Sequence, residues 1–157
     1  MIGKILYPTD FSKYSLAALP LATDLAKRYH AEIHVLHAVD TPCEFLMEDG
    51  GVGPLVTSYP TDVDQLKTSA EQRLGEFVRE HLADLEASAK QVVVVGQAFA
   101  EIVRYAGAQH IDLIVLGTHG HSALASMLLG NVAEKVVRKA PCAVLTVRHP
   151  EQKLASP

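Results

Sequence analysis

The feature that most constrains the fold of this chain is the alternation of short apolar runs with longer amphipathic stretches. Apolar runs of strand length occur at five places, and a stretch with helical periodicity separates each from the next. The predicted strands are Ile2 to Tyr7, Glu32 to Val39, Gln91 to Val95, Asp112 to Leu116 and Cys142 to Val147. Strands that alternate with helices favour right-handed crossovers and an open, five-stranded parallel α/β sheet with helices on both faces.

Four helices are predicted between these strands. They are Ser12 to Tyr29, Thr61 to Ala87, Phe99 to Gln109 and Val132 to Lys139. Pro20 lies inside the first of them and is expected to kink or loosen it, because proline has no backbone N–H to donate. The glycines and prolines between Asp40 and Pro60 predict a long loop, which we expect to be a mobile lid. The valines that precede Gly96 predict a strand covered on both faces.

Length, composition and charge narrow the class of protein. A chain of 157 residues that is 48% hydrophobic fits one domain, predicted over 1–148, with a C-terminal tail over 149–157. The net charge is -4 and no basic run occurs, which argues against nucleic acid as a partner.

The cysteines and the apolar segments bear on the compartment. Cys43 and Cys142 form neither a metal-binding spacing nor a disulfide framework, as expected in a reducing compartment. No signal-like segment is apparent, and no apolar run approaches the roughly 20 residues that span a bilayer. A cytoplasmic protein without a membrane partner is the expectation.

A spaced set of glycines follows the fourth predicted strand. Gly117, Gly120 and Gly130 have the spacing Gly-x2-Gly-x9-Gly, which matches neither a Walker loop nor a dinucleotide-binding fingerprint. A glycine exposes its backbone N–H to a ligand, and a helix N-terminus attracts anions. A plain connection from strand to loop would not require Gly117 and Gly120, so a phosphate site is favoured over a purely structural turn.

Asp10 and Asn131 each have two explanations. In an open parallel sheet, ligands bind beyond the carboxyl ends of the strands, where the strand order reverses. Asp10 follows the first strand, so its carboxylate could accept from a ribose hydroxyl or an adenine amino group, or it could cap the next helix. Asn131 with Glu134 fits a variant of the capping box, but an Asn amide can also donate to a phosphate oxygen. Both alternatives stay open for both residues.

Rival kinds of site are less well supported by the residues. His34, His37, His119 and His121 do not form a zinc-binding pattern, so a metal site is not predicted, although His121 could donate to a phosphate. A nucleophile elbow is absent, and Cys142 is expected to be buried at a strand start. A phospho-acceptor receiver domain would need an aspartate where the third strand ends in valine and glycine.

With these motifs in view, the sequence resembles the universal stress protein family along nearly its whole length. The resemblance is carried by Lys4 to Ser12, Val35 to Val39, Asp112 to Gly120, Gly130 to Val137 and Ala140 to Val147. It implies a Rossmann-like three-layer sandwich of the adenine-nucleotide alpha-hydrolase-like kind. The three glycines place the chain with the family's nucleotide-binding branch.

The resemblance also implies a ligand and the residues that hold it. The ligand is ATP, or ADP or AMP, with Mg²⁺ or Mn²⁺ held by the phosphates if a cation is present. The implied binding residues are Pro8, Thr9, Asp10, Ala38, Leu116, Gly117, Gly120, His121, Gly130, Asn131 and Val132. Asp10 would hold the nucleoside, Ala38 and Leu116 would border the adenine and ribose, and the glycines would line the phosphates. The chain departs from the family pattern at Asn131, where a serine or threonine is expected.

A function follows from the resemblance as an expectation. The chain would be a stress-response protein that binds ATP or another adenine nucleotide and acts as a nucleotide-responsive switch on a protein partner. It would form a homodimer through the last strand, Ala143 to Val147. The alternatives are a slow ATPase, for which no base positioned to activate water is evident in the sequence, and a dimeric scaffold that binds no nucleotide.

Overall fold

The computed structural model describes residues 1–40, 60–119 and 129–150 of the chain. Its strands are β1 Lys4–Pro8, β2 Glu32–Val39, β3 Ala89–Val95, β4 Leu113–Gly117 and β5 Ala143–Val147. Its helices are α1 Lys13–Leu16, α2 Leu19–Tyr29, α3 Pro60–His81, α4 Ala98–Ala108 and α5 Asn131–Lys139, with a short 3-10 helix at Ala83–Ser88. The alternation of strands and helices predicted from the sequence is confirmed.

The strands form one parallel sheet in the order β3-β2-β1-β4-β5. The chain therefore builds outward from β1 to β2 and β3, and then returns to the other side of β1 to add β4 and β5. In register, Ile5 pairs with Ile33 of β2 on one side and with Leu113 of β4 on the other. The strand order thus reverses between β1 and β4, which is where ligands bind in open α/β sheets.

Each face of the sheet has its own core. Ile5, Tyr7 and Val35 pack against α2 and α3, where Ala22 and Val78 are fully buried. The opposite face packs against α4 and α5, through the buried side chains of Leu6, Leu36, Ile102, Ile114 and Val136. Each fully buried aliphatic side chain contributes about 1.5–3 kcal/mol relative to exposure, so these two layers hold the strand ends in place.

The predicted first helix is two helices in the structure. α1 ends at Leu16, and α2 begins at Leu19 with Pro20 in its first turn. Proline is tolerated in a first turn because the N–H groups there have no acceptor inside the helix. The predicted continuous helix is therefore wrong: it is interrupted after Leu16, and Pro20 lies in the first turn of α2 rather than inside a helix.

The end of α3 and the burial of β3 also differ from the predictions. α3 ends at His81 rather than Ala87, because the chain continues as the short 3-10 helix. β3 lies at an edge of the sheet, and its valines are half-buried rather than covered on both faces. Among the helices that the structure describes, none is both long enough and apolar enough to cross a bilayer.

Candidate functional site

The candidate site lies at the carboxyl ends of β1 and β4, where the reversal of strand order in an open sheet leaves a crevice. Pro8 ends β1 and Gly117 ends β4, and both are buried. Leu116 is buried on the side of α4 and α5, and Ala38 is half-buried near the end of β2. The turn Thr9 to Ser12 borders the crevice on the β1 side, and the start of α5 borders it on the β4 side.

On the β1 side, Asp10 forms part of a local turn. One oxygen of its carboxylate, Oδ1, accepts from the Ser12 backbone N–H at 3.0 Å and from Ser12 Oγ at 2.6 Å. A carboxylate that accepts a bond from the residue two positions on forms an Asx turn. Ser12, not Asp10, is the N-cap of α1, and its side chain accepts from the Ser15 N–H. The helix-cap alternative for Asp10 is therefore wrong, although Asp10 does bond the residue that caps the helix.

Thr9 ties this turn to the sheet and to α1. Its N–H donates to the Leu36 carbonyl at 2.8 Å, and its Oγ1 accepts from the Phe11 N–H at 3.0 Å. Thr9 Oγ1 also lies 3.1 Å from Ser15 Oγ, and all three hydroxyl-bearing residues at this turn, Thr9, Ser12 and Ser15, are buried. Buried hydroxyls that are hydrogen-bonded fix a single conformation of the turn, because leaving one unpaired would cost about 1–3 kcal/mol.

Tyr7 stabilises the turn by connecting β1 to α1. Its hydroxyl donates to the Ser15 carbonyl at 3.0 Å, which fastens α1 to the end of β1. Burial raises the pKa of Tyr7 to about 12. The phenol therefore stays protonated across the physiological range and remains a donor to α1.

On the β4 side, the first determinant is the close approach of α1 to Gly117. A Cβ on Gly117 would overlap the carbonyl oxygen of Tyr14 and would lie 3.2 Å from the Cα of Ser15. The Thr118 N–H is already used, because it donates to the Val147 carbonyl at 2.9 Å. The premise that Gly117 has no structural reason to be glycine is therefore wrong: α1 requires it, whatever ligand the crevice takes.

Gly130 is similarly confined. Its N–H donates to the Thr118 carbonyl at 2.7 Å, and an added Cβ would lie 3.1 Å from that oxygen and 3.4 Å from the Cα of His119. The first of these distances is shorter than an ordinary van der Waals contact, and the second is at its lower limit. The chain leaving β4 and the chain entering α5 therefore lie against each other at the crevice.

The start of α5 differs from the capping box predicted for Asn131. Gly130 is the N-cap, with extended backbone at φ -70 and ψ 160, and it makes no side-chain capping bond. Asn131 is the first helical residue and is exposed, so the capping-box interpretation of Asn131 and Glu134 is wrong by one position. Glu134 instead lies 3.0 Å from Arg138, one turn further along.

The consequence is a helix N-terminus whose cap residue has no side chain. The first N–H groups of a helix lack acceptors within it, and Asn131, Val132 and Ala133 occupy these positions in α5. Together with the helix dipole they carry partial positive charge. Val132 is exposed, which fits a backbone N–H accessible from solvent.

Sequence reasoning missed the aromatic residues around this crevice. The ring of Tyr14 lies 6.4 Å from that of His119 and 5.5 Å from that of His149, and His119 is buried. On the β1 side, Phe11 contacts His37 of β2. These contacts join segments far apart in the chain, so spacing alone gave no signal for them.

Two of the histidines considered as metal ligands lie on β2. His34 and His37 lie on opposite faces of β2, and burial lowers the pKa of both. His34 Nδ1 lies 2.9 Å from the Tyr105 hydroxyl, and its Nε2 lies 3.3 Å from Glu32 Oε1 without the alignment of a hydrogen bond. Within the described residues no group of three or more metal-ligating side chains is found.

The remaining predictions concern Gly120, His121, the long loop and Cys142. Gly120 and His121 lie outside the described residues, as does the loop predicted between Asp40 and Pro60, apart from its two end residues. Cys142 is half-buried rather than buried, and partial burial with nearby Asp112 raises the pKa of its thiol. The thiol is therefore protonated near neutral pH, which is the less nucleophilic form.

An open parallel sheet with a crevice at the reversal of strand order defines the doubly wound α/β class. Within that class, the model of the universal stress protein family matches residues 1–148, and the chain belongs to this family. The universal stress protein MJ0577 of Methanocaldococcus jannaschii is 30% identical over 155 residues, covering 94% of this chain and 96% of that protein.

Solved structures agree with this assignment. Universal stress protein UspA from Lactobacillus plantarum has a TM-score of 0.70 at 26% identity, covering 93% of this chain and 97% of that chain. A universal stress protein in complex with cAMP has a TM-score of 0.65 at 26% identity, covering 92% of this chain and 96% of that chain. The fold is thus the adenine-nucleotide alpha-hydrolase-like one that the resemblance implied, and a neighbour of similar fold binds an adenine nucleotide.

Proposed function

We propose that this protein binds an adenine nucleotide in the crevice between β1 and β4. The observation that carries the proposal is the pairing, at the reversal of strand order, of a carboxylate on one side with a helix start on the other. A nucleotide has the matching polarity, because its nucleoside end offers hydrogen-bond donors and its phosphates are anionic. The cAMP complex of a neighbour at 26% identity supports the same ligand class.

In this proposal each side of the crevice holds one end of the nucleotide. Asp10, presented by Pro8 and Thr9, accepts from the ribose or the adenine, and Ala38 and Leu116 border the base. The phosphates lie at the start of α5, where Gly130, Asn131 and Val132 contribute backbone N–H groups and Asn131 adds an amide. Gly117 keeps α1 close to β4, and Gly120 and His121 complete the phosphate end.

The nucleotide is ATP, ADP or AMP in this proposal, and any Mg²⁺ or Mn²⁺ is held by its phosphates. Among the described residues no cluster of carboxylates is available to bind the cation directly. A divalent cation needs several oxygen ligands, which a polyphosphate and water can supply. Cation dependence should therefore appear with ATP and be weak with AMP.

The biological role we propose is a cytoplasmic, nucleotide-responsive switch that signals through a protein partner under stress. Dimerisation through β5 would build such a switch. β5 is an edge strand of the described sheet, and the apolar residues Val144, Leu145 and Val147 are half-buried there. An apolar edge strand is a template for pairing with a second copy.

Nucleotide binding is tested by the thermal midpoint of the purified protein with AMP, ADP, ATP and cAMP, each with and without Mg²⁺. A ligand that binds only the folded state stabilises it, by about 2.7 kcal/mol at a concentration of a hundred times its Kd. We expect at least one adenine nucleotide to raise the midpoint, and GTP at equal concentration to raise it less. No response to any of them would overturn the proposal and favour a non-binding scaffold.

The same samples separate a switch from a slow ATPase. Product is followed for hours with ATP and Mg²⁺, and oligomeric state is measured by light scattering with and without nucleotide. A switch predicts a nucleotide-dependent change in mass or partner binding with little ADP formed. Steady release of ADP that disappears in Asp10→Ala, with folding intact, would favour hydrolysis instead.

A further inference from the structure

We infer that Phe11 is a positioning residue for Asp10, held in place by His37, Phe77 and Arg73. This inference rests on the proposed nucleotide site and adds a determinant of its specificity. Phe11 does not face the ligand in this account. It fixes the direction in which the preceding residue presents its carboxylate.

The first observation is the backbone of Phe11. Its φ is 62, in the left-handed region that residues other than glycine seldom occupy. A bulky residue persists there only when the surrounding structure over-determines it. Glycine would adopt the conformation without strain, so the presence of phenylalanine calls for contacts made by the ring.

The second observation is what the ring contacts. Its centroid lies 4.3 Å from that of His37 and 5.5 Å from that of Phe77, and the Arg73 guanidinium carbon lies 4.4 Å from it. These residues come from β2 and α3, far from Phe11 in sequence. Aromatic and cation–π contacts of this kind favour one ring position, and thereby one conformation of the backbone that carries it.

The third observation is that His37, and Phe11 itself, also form hydrogen bonds with Thr9 in the turn. His37 Nδ1 lies 2.8 Å from the Thr9 carbonyl oxygen, and since a carbonyl only accepts, Nδ1 carries the proton. The Phe11 N–H donates to Thr9 Oγ1 at 3.0 Å. Asp10 therefore lies between two residues that His37 holds, one by a hydrogen bond and one by ring contact.

These contacts define the direction of the Asp10 carboxylate. With Phe11 left-handed, the Ser12 N–H and hydroxyl both reach Asp10 Oδ1. If Phe11 moved to the more common right-handed or extended backbone, Ser12 would rotate away from the Asp10 carboxylate and those two hydrogen bonds would be lost. A binding group must be held within about 0.5 Å and 10–20° to be effective, so such a rotation would weaken nucleoside recognition.

The test compares nucleotide discrimination rather than stability alone. Affinities for AMP, 2′-deoxy-AMP and inosine monophosphate are measured by calorimetry for the wild type, Asp10→Asn, Phe11→Ala and Phe11→Gly. The last two nucleotides each lack one donor group, the ribose 2′-hydroxyl or the adenine 6-amino group. We expect Phe11→Ala to weaken AMP binding about tenfold, as for the loss of one hydrogen bond to a charged group, and to reduce the preference for AMP to that of Asp10→Asn.

Phe11→Gly separates backbone strain from positioning. Glycine accepts φ 62, so this variant should be folded even where Phe11→Ala is not. Without the ring it should still lose the preference for AMP. A Phe11→Gly protein with wild-type affinities and wild-type discrimination would overturn the inference.

Phe99→Ala is the matched control, because Phe99 is also half-buried and also lies under cations, Lys135 at 4.7 Å and Lys139 at 5.5 Å. It should lose stability but keep the preference for AMP.

His37→Asn keeps a donor for the Thr9 carbonyl and should preserve more discrimination than His37→Phe. If no nucleotide binds the wild type, the proposed function fails; if the wild type discriminates and Phe11→Ala discriminates equally, only the positioning role fails.

Discussion

The two sides of the crevice are built by different means. On the β1 side, the turn is held by side chains: the carboxylate of Asp10, the hydroxyls of Thr9 and Ser12, and the ring of Phe11. On the β4 side, Gly117 and Gly130 allow backbone to lie against backbone. The β1 arrangement fixes the position of the Asp10 carboxylate, whereas the β4 arrangement lets two backbone segments lie close together. Substitutions on the β1 side should therefore change affinity more, and those on the β4 side should change stability more.

The difference also changes how the glycines are understood. A glycine that lets a ligand approach and a glycine that lets a helix approach look the same in sequence. At Gly117 the structure supplies the helix, since α1 lies directly over it. If the proposed site is correct, the β4 side serves both binding and packing, and each substitution there needs a stability measurement beside the affinity.

The largest effect should come from Gly117→Ala. The new methyl group would meet the Tyr14 carbonyl, which is backbone and cannot move aside without shifting α1. Overpacking of this kind costs about 1–3 kcal/mol, and we expect the upper end of that range. Urea unfolding measures it, with Gly107→Ala as control, because a Cβ on Gly107 in α4 would meet only Pro141 at 3.9 Å. Equal stability of the two variants would mean that α1 does not confine Gly117.

Asp10→Ala should have the next largest effect on stability and the larger effect on binding. The variant loses two hydrogen bonds that Asp10 Oδ1 accepts from Ser12, which we expect to cost about 1.5–2 kcal/mol of unfolding free energy in total, because Asp10 is only half-buried. Nucleotide affinity should fall by about tenfold or more, because hydrogen bonds to a charged group are worth about 1.5–3 kcal/mol. Calorimetric titration below the unfolding range measures affinity. An unchanged Kd would show that Asp10 does not contact the nucleoside, and that the β1 side does not present a binding group.

The sequence predicted the fold better than it predicted the site. Apolar periodicity is a local property, so the five strands and their helices followed from it, whereas the site depends on contacts between distant segments. Asn131 shows how small the margin is: a helix start displaced by one residue turns a capping side chain into an exposed one. The backbone of Phe11 could not have been predicted, because the contacts that hold it left-handed come from β2 and α3.

The β1 side should also be the pH-sensitive side, through His37. Burial holds the pKa of His37 below its ordinary value; Arg73 acts in the same direction, and the Thr9 carbonyl, Asp10 and Asp40 oppose it. The folded state therefore binds fewer protons than the unfolded state once the pH falls below about 6.5. The free energy of unfolding decreases as the pH decreases further. The contribution is fully present above that pH and is lost as the pH falls toward the folded-state value.

Urea unfolding at pH 7.5, 6.5 and 5.5 measures this slope. His37→Asn should make unfolding free energy depend less steeply on pH. Between pH 7.5 and 5.5 the free energy attributed to His37 should be smaller than the loss expected for Asp10→Ala. Buried His34 supplies a remaining slope of the same sign. The control is His110→Asn, since His110 is exposed and asparagine tolerates its φ of 54. A wild-type slope in His37→Asn would show that the turn does not sense protonation.

The smallest effect on stability should come from Asn131→Ala, and it is the most informative for the β4 side. Asn131 is exposed and is the first residue of α5 rather than its cap, so removing its amide should change the unfolding free energy by less than about 0.5 kcal/mol. A drop in ATP affinity without a drop in AMP affinity would then come from a lost contact to the outer phosphates. Asn131→Ser should recover part of it, because a hydroxyl can also donate. If instead all affinities stay at wild-type values, the Asn131 amide does not contact the phosphates, and α5 contributes only backbone N–H groups to the proposed site.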